Sequence, residues 1–214
     1  MSRAMLKRRS RFMQAIEVIE KENQVRVLTL GDLVLLLGDL GHGVLILLLC
    51  LFFLQPIPLP GVSTPIGALV VILATLQFMH KAPWIPKRFL NHRLPPSAVH
   101  KIAEIARKIW ARLEKILKPR LQVLTSAPFF RLLNLLVIIL SSLLLALPLP
   151  IPFTNTIPAV VIVSLCFAQL EDDGVAVLFA YTTSIGMLFF FGGLGVGVWN
   201  ILQRLWISFS GTVA

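Results

Sequence analysis

Apolar residues fill four stretches without a single charge: 43–54 (GVLILLLCLFFL), 66–79, 132–147 and 175–191. Runs of this kind predict helices embedded in a membrane. Two of them are broken by proline in the same manner. "QPIPLPGVSTPIGALVVILATLQF" (55–78) and "LPLPIPFTNTIPAVVIVSLCFAQLEDDG" (147–174) each read as the end of a long helix, a proline turn and a short apolar helix. The short helices, about 13–15 residues at about 1.5 Å per residue, fall short of a full span. The stretch 175–191 predicts one more membrane helix. "GGLGVG" (192–197) reads as a flexible break or a small-residue packing face. "VWNILQRLWISF" (198–209) carries Trp199 and Trp206, which favour an interface, and either returns through the membrane or lies on it.

The two broken stretches superimpose without a gap at an offset of 92. Pro56 falls on Pro148, Pro58 on Pro150, Pro60 on Pro152, Ser63 on Asn155, Thr64 on Thr156 and Gln77 on Gln169. With a small shift the match extends back, from "VRVLTLGDL" (25–33) to "LQVLTSAPF" (121–129). Each copy follows an amphipathic segment, 8–24 and 97–119. In the second, Ile102, Ile105, Ile109, Leu113 and Ile116 recur at helical spacing, with Lys and Arg on much of the other face. Such segments lie on the membrane surface or pack on one another. The chain is therefore expected to be an all-α, polytopic membrane protein with an internal two-fold repeat, proline-broken or re-entrant helices and amphipathic surface helices. It forms a single membrane domain over 1–214. Repeat one covers about 8–80, a basic linker and amphipathic helix 81–120, repeat two about 97–171, and C-terminal helices 175–209.

Composition agrees. Of 214 residues 57% are hydrophobic and 14% charged, against about 25% charged in a soluble domain; mean hydropathy is +0.85. Charge is segregated: residues 1–27 hold seven Lys/Arg against three Glu, and 81–131 hold twelve against two. Basic loops stay in the cytoplasm, which places the N-terminus and the linker there and gives both repeats one orientation. The basic excess is read as topology and contact with anionic lipid head groups rather than nucleic acid. The apolar runs begin after a charged segment, so no cleaved signal peptide is expected. Cys50 and Cys166 sit inside apolar runs and are read as free buried thiols.

Inside a bilayer, unwound backbone is tolerated only where it is buried in protein or lines a wet cavity. Two matched breaks therefore predict a polar spot shared by the repeats, and interrupted helices in repeats point to transporter-like sites. The expected substrate-binding residues are Pro60, Ser63, Thr64, Pro152, Asn155 and Thr156, with Gln77 and Gln169 toward the cytoplasmic ends of the short helices. The simpler reading is that Ser63 and Asn155 cap those helices, with Pro65 and Pro158 in their first turns. In "GDLVLLLGDLGHG" (31–43), Asp32, Asp39 and His42 share a helical face. Asp39 and His42 are candidates for a proton relay, Asp32 for a helix cap. Glu171 and Asp172 of "EDDG" form a cytoplasmic turn or a gate against the basic linker. No GxSxG, HExxH, DDxxD, P-loop or Rossmann glycine pattern is present. The expectation is no catalysis, no metal and no cofactor; a lipid-linked-sugar enzyme using Glu171–Asp173 is the weaker reading.

"PLPGVST" (58–64), Gln77, "PWIP" (83–86), "PR" (119–120), "PIPFTNTIPA" (150–159) and "EDDG" (171–174) resemble the ExoD family of bacterial membrane proteins, from about residue 27 to 195. The chain departs from that pattern in carrying three consecutive acids at the turn. The resemblance implies a bacterial inner-membrane protein linked to exopolysaccharide production, without specifying a reaction. Two readings follow. The first is a small transporter or channel-like protein, as a homodimer. The second is a non-transporting accessory or assembly factor docking on polysaccharide-synthesis machinery through the linker, with Trp84 and Trp110.

Overall fold

The computed structural model describes residues 11–38, 40–55, 61–81, 91–113, 119–149 and 151–210. They are helical almost throughout, with one isolated antiparallel bridge between Thr29 and Arg93. The order is α1 (Arg11–Val25), α2 (Leu30–Leu37), α3 (Leu40–Leu51), α4 (Ser63–Phe78), α5 (Pro96–Leu113), α6 (Val123–Ser126), α7 (Pro128–Leu145), α8 (Thr156–Glu171) and α9 (Gly174–Ser210). Pro60 and Asp39 lie outside the described residues, as do Ile116 and Trp84 in the linker.

Among the described residues two helices are long and apolar enough to cross a membrane, Pro128–Leu145 and Gly174–Asn200, or three if α2 and α3, bent by 116°, form one span. The apolar helices are those of a membrane protein. Both short helices have 16 residues, about 24 Å against a hydrocarbon core of about 30 Å.

The broken helices exchange partners. α4 packs chiefly on α7, and α8 on α3 and α9 as well as α7. Ile46, Cys50 and Phe53 meet Ile162, Leu165 and Cys166 in one core, with Val70, Leu73, Ile138 and Leu145 continuing it. α8 is buried on every side, from Pro158 to Leu170, which is why its apolar residues show no amphipathic stripe. α4 approaches α7 closely because Gly67 has no side chain. A Cβ there would lie 2.6 Å from Ser142 O and 2.9 Å from Ala146 Cβ. Two hydrogen bonds tie the same arrangement: Thr64 Oγ1 donates to Ala146 O (2.7 Å) and Thr156 Oγ1 to Gln55 O (2.9 Å). Both breaks therefore lie at one end of the bundle, and the C-termini of α4 and α8 at the other.

The amphipathic helices α1 and α5 pack on each other. Ile16 and Ile19 meet Val99 and Ala103 over Leu28. Glu20 pairs with Arg107 and, at 3.8 Å, with His100 Nδ1; Asn23 Nδ2 donates to Pro96 O (3.2 Å). On the exposed face of α5, Lys108 bonds Glu104 and holds its carboxyl below the usual range. α2 begins with a capping box: Thr29 N donates to Asp32 Oδ2 (2.8 Å) and Asp32 N to Thr29 Oγ1 (3.1 Å). Asp32 also meets Arg26 at 3.1 Å. The C-terminal region differs from the expected break: α9 runs through Gly192–Gly197 as one helix, and a Cβ at Gly192, Gly193, Gly195 or Gly197 would meet nothing within 4 Å. Those glycines do not interrupt the helix, and among the described residues nothing lies within reach of a Cβ at them.

Candidate functional site

Gln77 stands in the last turn of α4 and Gln169 in the last turn of α8. Their amides meet, Gln77 Nε2 donating to Gln169 Oε1 at 3.2 Å across 92 positions of chain. Gly43 of α3 lies near: a Cβ there would stand 3.5 Å from Leu170 Cδ2 and 3.9 Å from Gln77 Nε2. Beside the amide pair opens a cavity of about 440 Å³. α4 and its end contribute Gln77, Phe78 and His80, α6 and its flank Gln122, Thr125 and Ser126, α7 Arg131 and Asn134, and α8 with its cap Gln169 and Asp172.

Arg131 Nη2 lies 2.7 Å from His80 Nε2. Arginine has no acceptor, so that nitrogen accepts and the imidazole proton sits on Nδ1. The guanidinium also stands 6.0 Å from the centroid of the Phe78 ring. Asn134 is buried and used at both ends of its amide: Nδ2 donates to Leu124 O (3.0 Å), and Oδ1 accepts from Tyr181 OH (2.7 Å). It thereby holds α6 and α9 against α7. Thr125 Oγ1 donates to Gln122 O (2.9 Å) and lies 3.5 Å from Asp172 Oδ1.

The motif "EDDG" divides its work residue by residue. Glu171 closes α8 and is partly buried. Asp172 takes the left-handed conformation (φ 52°, ψ 38°) that ends the helix, and its neighbour's N–H returns to Ala168 O. Asp173 caps α9 by accepting from Val175 N (2.9 Å), and it stands 3.9 Å from Arg120. Asp173 thus faces an arginine of the linker. Gly174 N donates to Arg120 O at 2.6 Å, and a side chain there would collide with Leu121 O.

At the opposite end of the bundle, Ser63 and Asn155 are buried, 0% and 4% exposed. Among the described residues neither Ser63 Oγ nor Asn155 Oδ1 has a hydrogen-bond partner. Neither side chain caps its helix; Asn155 has helical dihedrals (φ −91°, ψ −34°). Thr64 and Thr156 instead bond the far pair's carbonyls, as described above. Pro152 is exposed in the turn before α8. His42 is buried on α3, 2% exposed.

The expected site residues thus separate into two groups, Ser63, Thr64, Pro152, Asn155 and Thr156 at the breaks, and Gln77, Gln169 and Asp172 at the cavity. The sequence reading did not single out His80, Thr125, Arg131, Asn134 or Tyr181 as site residues. A signal for two of them was present: the same offset of 92 sets Arg131 on Asp39 and Asn134 on His42.

The family model described as "Exopolysaccharide synthesis, ExoD" matches residues 12–193. Protein ExoD of Rhizobium meliloti (strain 1021) is 33% identical over 182 residues, covering 83% of this chain and 75% of that one. Uncharacterized protein slr1875 of Synechocystis sp. (strain ATCC 27184 / PCC 6803 / Kazusa) is 29% identical over 171 residues, 79% of this chain and 76% of that one. No solved structure matches the chain.

Proposed function

The chain belongs to the ExoD family, a family linked to exopolysaccharide synthesis, and from that premise we propose that it is a small inner-membrane transporter or channel-like protein of envelope physiology. In this reading residues 8–80 and 97–171 are two repeats of one orientation, related by a pseudo-two-fold axis along the membrane normal. Solute enters from the cytoplasm at the cavity beside Gln77 and Gln169.

The contact between Gln77 and Gln169 carries the reading. Residues at the same register of two repeats touch only where the axis relating the repeats passes between them. The paired bonds of Thr64 and Thr156 obey the same relation to within one residue, since the two threonines are 92 positions apart and their acceptors, Ala146 and Gln55, are 91 apart. Polar groups mark both ends of this axis, the amide pair at one and buried Ser63 and Asn155 at the other. Polar groups at such depth are costly in hydrocarbon and are retained where they line a pathway. Basic chain flanks the glutamine end, which supports a cytoplasmic position for it.

The test is flux into proteoliposomes of the purified chain, screening protons, amino acids, organic anions and sugars. The parent is expected to move at least one class. A Gln77→Leu, Gln169→Leu variant of equal thermal stability is expected to lose it. A folded parent that moves nothing overturns the proposal in favour of an accessory factor. One observation favours that second reading: α5 presents the exposed Lys101 in a chain segment, 81–131, that holds twelve Lys/Arg against two acids, a basic surface for an acidic partner.

A further inference from the structure

We propose that the cavity binds an oxyanion, a carboxylate or a phosphate, with the Arg131 guanidinium as its anchor; this rests on reading the cavity as the solute site. Arg131 stands half-buried in the first turn of α7 and lines the cavity. Two neighbours hold the guanidinium without neutralising it. His80 accepts one of its N–H groups on an unprotonated ring nitrogen at 2.7 Å, and the Phe78 ring lies against it, 6.0 Å from guanidinium carbon to centroid. Neither neighbour carries a negative charge.

Other arginines are met by carboxylates: Arg26 by Glu22 and Asp32, Arg107 by Glu20, Arg120 by Asp173. Among the described residues no carboxylate pairs with Arg131. Asp172 shares the cavity lining but is engaged within the protein, with Thr125 Oγ1 3.5 Å from its Oδ1. The charge left to be met is therefore positive. A guanidinium presents five N–H donors in a rigid fork. One bond to His80 leaves most of them for a ligand, and the fork fits two oxygens of a carboxylate or phosphate. The segment 81–131, which ends at Arg131, holds twelve Lys/Arg against two acids, and a field of that sign draws anions.

The amide pair adds to the match. Gln169 Oε1 accepts from Gln77 Nε2, which leaves the Gln169 Nε2 donors for an anion oxygen in the same cavity. A cavity of about 440 Å³ falls in the range of small-molecule sites, roughly 300–1,000 Å³. A cation would be repelled by Arg131, and a neutral sugar would leave its charge unmet. The oxyanion reaches this end of the bundle either as a free solute or as the headgroup phosphate of a lipid.

The test is calorimetric binding to the full chain in an uncharged maltoside detergent, with acetate, inorganic phosphate, short-chain phosphatidylglycerol, methylamine and glucose as probes. At least one oxyanion is expected to bind about tenfold or more tighter than methylamine or glucose. Arg131→Gln is expected to weaken it by about tenfold or more, the loss that follows from removing one charged hydrogen-bonded partner. Arg131→Lys keeps the charge without the fork and is expected to fall between the two. Lys101→Gln, on α5 and outside the cavity lining, is expected to leave the affinity unchanged. Binding of acetate or inorganic phosphate identifies a free solute; binding of phosphatidylglycerol alone identifies a lipid headgroup. Melting temperatures without ligand identify a variant that fails to fold, and then the parent's order of preference decides. Methylamine or glucose binding as well as the oxyanions, no probe binding to folded parent, or equal weakening by Arg131→Gln and Lys101→Gln would overturn the proposal. Oxyanion binding without flux would leave this site standing and remove transport. Flux of a cation or sugar with no oxyanion bound would do the opposite.

Discussion

At each break a threonine hydroxyl reaches a backbone carbonyl at or just past the end of a helix in the other pair: Ala146 caps α7, and Gln55 stands four residues past α3. Carbonyls at a helix end have no partner within the helix, and in an apolar setting they need a donor. Thr64 and Thr156 supply it across the two helix pairs. Thr64→Val and Thr156→Val keep the shape and remove the donor. Each is expected to lower stability by about 0.5–1.5 kcal/mol, near-additively because the two contacts share no partner, in denaturant unfolding of the detergent-solubilised protein. Asn134→Leu strands both Tyr181 OH and Leu124 O and is expected to cost more, about 1–3 kcal/mol per buried group left unpaired. Sequence alone pointed to Ser63 and Asn155 as the caps, from residue type. A side-chain cap needs extended dihedrals, and Asn155 is already helical; nothing in its identity discloses that.

At the scale of elements, close approach and amphipathic pairing hold the helices in place. Gly67→Leu would drive a side chain into the backbone of α7 at Ser142. Because the obstacle is backbone, relief requires α4 to move, and the expected outcome is loss of the folded species by size-exclusion chromatography. Gly186→Leu, where a Cβ meets nothing within 4 Å, is expected to leave it intact. The amphipathic character of α1 and α5 was legible in the spacing of their apolar residues. What covers that face was not, since membrane lipid and a second helix present the same apolar surface to a periodicity argument. The structure answers with Val99 and Ala103 on Ile16 and Ile19. Ala103→Glu is therefore expected to part the two helices and speed amide exchange in both, while leaving α7 and α8 protected. Unchanged exchange in α1 would contradict the pairing. The helix continues through the glycines at 192–197, in place of the flexible break, because glycine weakens a helix by only about 1 kcal/mol per residue in water and a long apolar helix has no other partner for its backbone in lipid.

At the scale of the molecule, the repeated proline pattern announced two short apolar helices after two turns, and both helices form, α4 and α8. The cavity was far less legible. Its walls come from the ends of α4 and α8, from α6 and from the first turns of α7, segments separated by up to a hundred positions. Sequence spacing brings together only residues on one helix. Gln77 and Gln169 were visible as equivalents, but that equivalent residues touch is a property of the packing. In the proposed function two repeats meet at Gln77 and Gln169 around a solute pathway. The most direct measurement is flux through a Gln77→Cys, Gln169→Cys protein, with Cys50 and Cys166 replaced by alanine, joined by a short reducible cross-linker. The cross-link is expected to form within one chain and to stop flux, and reduction is expected to restore it. Failure of the two cysteines to join within one chain, or flux that is the same before and after joining, would contradict it.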